Sequence, residues 1–111
     1  MVNQGYEIIE LLDIMYLERL HRKVGIHLKN GTVVTVNDTL KNLGHIFSER
    51  NLFPCHKSFL VPLDSIESVR MEKQGNAGYL LLRGCSEQIP LSRKAYSELK
   101  KAMETNGLTF R

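Results

Sequence analysis

The dipeptide Asn30-Gly31 stands between "KVGIHLK" (23–29) and "TVVTV" (32–36). Asn-Gly readily adopts the left-handed backbone of a two-residue hairpin turn. Its flanks alternate or are β-branched, so an antiparallel pair is predicted across it. Just upstream, "IMYLERL" (14–20) shows the same mixed alternation, and a short basic connection, His21-Arg22, joins it to the next strand. The three runs predict an antiparallel meander. Residues 5–12, with weaker alternation, read as one more short strand ahead of it.

Beyond the meander the periodicity changes. Asn37 or Asp38 is placed to cap a helix over about 38–49, which sets Leu40, Leu43, Ile46 and Phe47 on one face. Residues 52–62 return to an extended or turn-rich form, because Pro54 and Pro62 bar a long helix. "SIESVRME" (65–72) alternates, "QGNAG" (74–78) reads as a turn, and "YLLLR" (79–83) as a buried strand. "EQIPL" (87–91) is a last short strand, with Pro90 marking an edge or a strand end. Ser92 caps a final helix over about 93–105 that Gly107 ends, and Ala95, Tyr96, Leu99 and Met103 form its apolar stripe. The expected fold is mainly β, with about seven to ten short strands and two helices.

A chain of 111 residues with 42% apolar content fits one domain, spanning 1–111. No apolar run approaches the roughly 20 residues of a membrane helix, so no membrane partner is expected. The opening "MVNQGYEIIELLDIMYLE" is interrupted by charge and does not read as a signal peptide. Cys55 and Cys85 show no framework spacing, and a reduced, cytoplasmic protein is expected. The net charge of +3 permits nucleic acid as a partner without requiring it.

One segment invites a chemical reading. "LFPCHKSFLVP" (52–62) sets Cys55, His56, Lys57 and Ser58 side by side between Phe53 and Phe59. In an extended chain adjacent side chains point to opposite faces, so Cys55 and His56 are not arranged to share a proton. Neither a Cys-x-x-Cys nor a His-x-x-x-His spacing occurs. No catalytic residue, metal site or cofactor is expected, and Cys55 reads as a small buried side chain.

Four blocks, taken in order, resemble the LytTR-type DNA-binding domain of bacterial LytR/AlgR-family transcription regulators. They are "DIMYLERLHRKVGIHLKNG", "TLKNL", "CHKSFLV" and "IPLSRKAYSELKKAM", and the likeness runs from about residue 10 to 105. The resemblance implies an elongated antiparallel fold of several sheets, in which sheet loops rather than a recognition helix enter DNA. It implies double-stranded DNA as the partner, with promoter direct repeats read across two successive major grooves, and it allows a homodimer on DNA. It also implies an output role in a two-component response regulator, behind a receiver domain. This chain departs from the family pattern at Pro54, where members commonly carry Arg, and at Pro62, where they commonly carry Asn.

Three basic loops are then candidates for DNA contact. The first is His21-Arg22-Lys23, where Arg pairs well with guanine O6 and N7 and Lys suits phosphate. In the second, Lys57 and Ser58 match the family's basic-Ser pair, and His56 reads as structural support that orients the loop. The third is Ser92-Arg93-Lys94, where two cations at a helix start oppose the helix dipole and favour an anionic partner. Arg93 matches the family's Arg. Lys100 and Lys101 lie near a helix C-terminus, where cations are favourable without any ligand. The alternative is a protein-interaction β module without DNA binding, whose loops are charged only because hairpin tips usually are.

Overall fold

The computed structural model describes residues 8–73 and 77–105. The described residues form eight strands: β1 (Ile14–Leu20), β2 (Lys23–Leu28), β3 (Val33–Val36), β4 (Leu52–His56), β5 (Phe59–Pro62), β6 (Ile66–Met71), β7 (Ala77–Leu82) and β8 (Ile89–Ser92). Helix α1 (Leu40–Ile46) follows β3, and α2 (Arg93–Thr105) follows β8. A five-stranded antiparallel sheet runs β3-β2-β1-β5-β4, and a three-stranded antiparallel sheet runs β6-β7-β8. The molecule is elongated, 54 × 27 × 25 Å.

Strand β1 is the shared wall of two cores. Ile14 and Leu17 join Val24, Ile26, Leu43 and Leu60 on the side covered by α1. Met15 and Tyr16 join Phe53, Cys55, Val61, the β7 and β8 leucines and isoleucine, and α2 on the other. Strict alternation cannot put two consecutive residues on one face. An irregularity in the β1–β2 register between Ile14 and Tyr16 allows it, and accounts for the solid apolar start of this strand. Each fully buried Leu or Ile here contributes about 1.5–3 kcal/mol relative to exposure.

The prolines fall where a missing N–H is tolerated. Pro54 is exposed on β4, an edge strand, beside a break in register between Phe53 and His56. Pro90 lies on β8, an edge of the smaller sheet. Pro62 ends β5, where the chain enters a 3-10 turn at Leu63–Ser65.

Several elements differ from the sequence expectation. Leu11–Asp13 is a 3-10 turn rather than strand. Helix α1 is shorter than 38–49, because the cap is Thr39, whose hydroxyl accepts from the Asn42 N–H at 3.1 Å. Asp38 instead accepts from the Thr39 N–H and the Asn42 side chain, reinforcing the cap from outside. Ile46 is 59% exposed: the helix ends there, and Phe47 rather than Ile46 turns back to the core. Strand β7 begins at Ala77, so Gly78 is strand and not turn. A Cβ on Gly78 would lie 2.2 Å from the Arg70 carbonyl oxygen, so only glycine fits this pairing. Residues 5–7, Gln74–Asn76 of the expected turn, and Gly107 lie outside the described residues.

Among the described residues, one charged side chain is buried. Arg50, in a 3-10 turn after α1, donates to Asp64 at 2.7 Å and to the Ser65 hydroxyl at 3.3 Å. This fastens the segment after α1 to the turn between β5 and β6. Arg83 donates to the Asp64 carbonyl oxygen, adding a link from the end of β7.

Candidate nucleic-acid interface

The β1–β2 hairpin closes on the Leu20–Lys23 pair, leaving His21 and Arg22 at its tip. His21 sits at φ 58, a left-handed conformation that non-glycine residues adopt at some cost. The turn projects His21, Arg22 and Lys23 into solvent, all three exposed. A second turn lies beside it, because β5 pairs with β1 and the Arg19 N–H donates to the Ser58 carbonyl at 2.8 Å.

That second turn joins β4 to β5. The His56 Nδ1 accepts from the Ser58 N–H at 3.1 Å. A side chain accepting from the N–H two residues on is the bond of an Asx-turn, made here by an imidazole. Phe59 meets the His56 ring edge-on at 5.9 Å. Lys57, between these anchors, is exposed. Cys55 points the other way into the core, and burial pushes its thiol up to about 12. A thiol held protonated near neutral pH is a poor nucleophile and a poor redox sensor.

The third segment is the start of α2. The Ser92 hydroxyl accepts from the Ala95 N–H at 3.1 Å, the expected cap. Arg93 and Lys94 follow on the first turn, both exposed.

Two open clefts tie the segments together. One, of about 520 Å³, is lined by Arg19, Arg22, Lys23 and Lys57, with His21 and Asp38. The other, of about 420 Å³, is lined by Lys57, Lys94, His56 and Ser92, with Pro54, Ala95 and Glu98. Lys57 belongs to both, so the hairpin tip, the β4–β5 turn and the start of α2 adjoin one another. Arg93 and Ser58 line neither cleft, although their sequence neighbours do. Among the described residues, no three His, Cys, Asp or Glu side chains converge as a metal site would need.

The family model for the LytTr DNA-binding domain matches residues 4–104. The chain belongs to this family. Among solved structures it is similar to the LytTr DNA-binding domain of a putative methyl-accepting/DNA response regulator from Bacillus cereus. That match has 20% identity and a TM-score of 0.73, and covers 91% of this chain and 90% of the other. No curated protein matches.

Within this LytTr domain, two cleft residues escape a reading of the sequence. Arg19 sits mid-run in "YLERL" (16–20), where its charge looks like the polar half of an alternation. Only the pairing of β5 with β1 shows that it faces Lys57 across the cleft. Glu98 is four residues after Lys94, a spacing ordinary on any solvated helix. No local signal distinguishes either residue from a surface charge.

Proposed function

We propose that this LytTr domain is the sequence-specific DNA-binding output domain of a bacterial transcription regulator, of the two-component response-regulator kind. It enters the major groove with loops of its sheets. Arg22, Lys57 and Arg93 make the base contacts. His21, Lys23, Ser58, Ser92 and Lys94 hold the phosphate backbone, and His56 keeps the Lys57 turn in shape. A cytoplasmic setting, a receiver domain in the full-length protein and a homodimer on promoter repeats belong to the same reading.

The observation that carries it is the shared Lys57. Four cations line the first cleft, and Lys57 continues that charge toward Lys94 at the start of α2. A positive groove concentrates a polyanion and aligns it before any base is read. Asp38, the acid in the first cleft, has its carboxylate engaged by the helix cap and is offset by its cationic neighbours.

The test is binding to promoter duplexes upstream of the genes adjoining this one. Retardation that prefers one sequence and weakens with salt is expected. Arg93→Ala is expected to cost roughly 1–3 kcal/mol and to relax discrimination at one or two base pairs. Absence of any binding at low salt would favour a protein-interaction module instead.

A further inference from the structure

The two clefts differ in chemistry, chiefly in whether their carboxylate is already engaged. Phosphate offers only acceptors, so it is held by donors and not by a free carboxylate. The first cleft approximates this, since its carboxylate is spent on capping α1. The second cleft mixes donors on Lys57 and Lys94 with two apolar side chains, Pro54 and Ala95, and the carboxylate of Glu98. Glu98 is exposed, and its carboxylate makes no hydrogen bond or ion pair with another described residue, Lys94 one turn earlier included.

A carboxylate gives nothing to phosphate, so the phosphate contacts proposed for Lys94 and Ser92 leave Glu98 unused. In the major groove the same carboxylate finds a matching partner, because cytosine presents its N4 amino group as a donor there. The guanine paired with it presents O6 and N7 as acceptors, which suit an ammonium group. A G·C pair therefore offers a donor and acceptors side by side, and the second cleft offers an acceptor and an ammonium donor.

We propose that Glu98 is a specificity-determining residue of the interface, accepting a hydrogen bond from a cytosine N4 while Lys57 donates to the guanine of the same or the adjoining pair. The proposal rests on the DNA-binding reading above and assigns a base to one cleft of it. Pro54 and Ala95 give the cleft an apolar wall against which the flat edge of a base pair, or a thymine methyl, packs without loss.

Selection from a randomised duplex library, with wild type, Glu98→Gln and Glu98→Ala in parallel, tests this. Wild type is expected to enrich cytosine at one position by roughly tenfold over the other bases. Glu98→Ala loses that preference and keeps the remaining positions. Glu98→Gln moves it toward adenine, since an amide pairs with adenine N6 and N7. Retention of the same cytosine by both variants, or a uniform gain in affinity with unchanged preferences, would overturn the assignment to Glu98 and leave DNA binding intact. No binding of wild type to any duplex would overturn both.

Discussion

At the residue scale, the proposed interface depends on side chains that shape it as well as on those proposed to meet DNA. His56 touches its own turn through the Ser58 N–H and sets where Lys57 projects. Asparagine can make the same bond through its side-chain oxygen, and leucine cannot. His56→Asn is therefore expected to keep affinity within about threefold, and His56→Leu to weaken it by about tenfold or more, as for loss of a hydrogen bond worth about 1 kcal/mol and of the geometry it holds. Titrating labelled duplex with each variant checks this, with thermal melting to confirm that both remain folded. Asp64 gives a prediction in pH. Its hydrogen bond from Arg50 holds its carboxyl below the ordinary carboxylate value of 3.8. A lowered pKa adds stability that is fully present above the ordinary value and is lost as pH falls through the lowered one. The Asp64 side chain is 71% exposed, so solvent screening keeps this contribution small. The melting difference between wild type and Asp64→Asn is expected to be constant from pH 5 to 7 and to shrink below about pH 4. Some residue roles were legible in the sequence, notably the cap at Ser92 and the burial of Cys55. Arg50 was not, because a charged residue at the end of a helix reads as solvated until its distant partner at Asp64 is known.

At the scale of elements, β1 carries the design. Its irregularity turns Ile14 and Leu17 to one core and Met15 and Tyr16 to the other, so one strand binds α1 and the α2 side into one body. Helix α2 is docked by Ala95, Leu99 and Met103, and its first turn brings Lys94 to the cleft. Leu99→Ala is expected to cost about 2–5 kcal/mol in denaturant unfolding, since Leu99 is fully buried. Gly78→Ala is expected to destabilise the β6–β7 pair severely, because the added Cβ meets backbone and not a side chain able to move. A chemical-denaturation midpoint near that of wild type would contradict this. The hairpins were legible from Asn30-Gly31 and from alternation, both local signals. The stripe on α2 was legible at its helical spacing. The turn at Leu11–Asp13 and the early start of β7 were not, because neither leaves a periodic pattern. Ile46 misled for a related reason: helical spacing says which residues share a face, and only the true helix end says which of them reaches the core.

For the whole molecule, a net charge of +3 is too small to explain DNA binding by itself. What matters is that four cations line one cleft and that Lys57 joins it to the next. The sequence names the three basic segments but not their adjacency, which depends on β5 pairing with β1 across some forty residues of intervening chain. Neutralising about two phosphates, through Lys23 and Lys94, should lower affinity on the order of tenfold between 50 and 200 mM salt. The most direct measurement is therefore the salt dependence of promoter binding for wild type and Lys57→Ala side by side. Weaker binding by the variant is expected at every salt concentration, with a shallower slope of log K against log salt, because loss of Lys57 also removes a cation from the groove. An affinity and a slope equal to those of wild type would remove Lys57 from the interface, and with it the single face on which the three segments are joined.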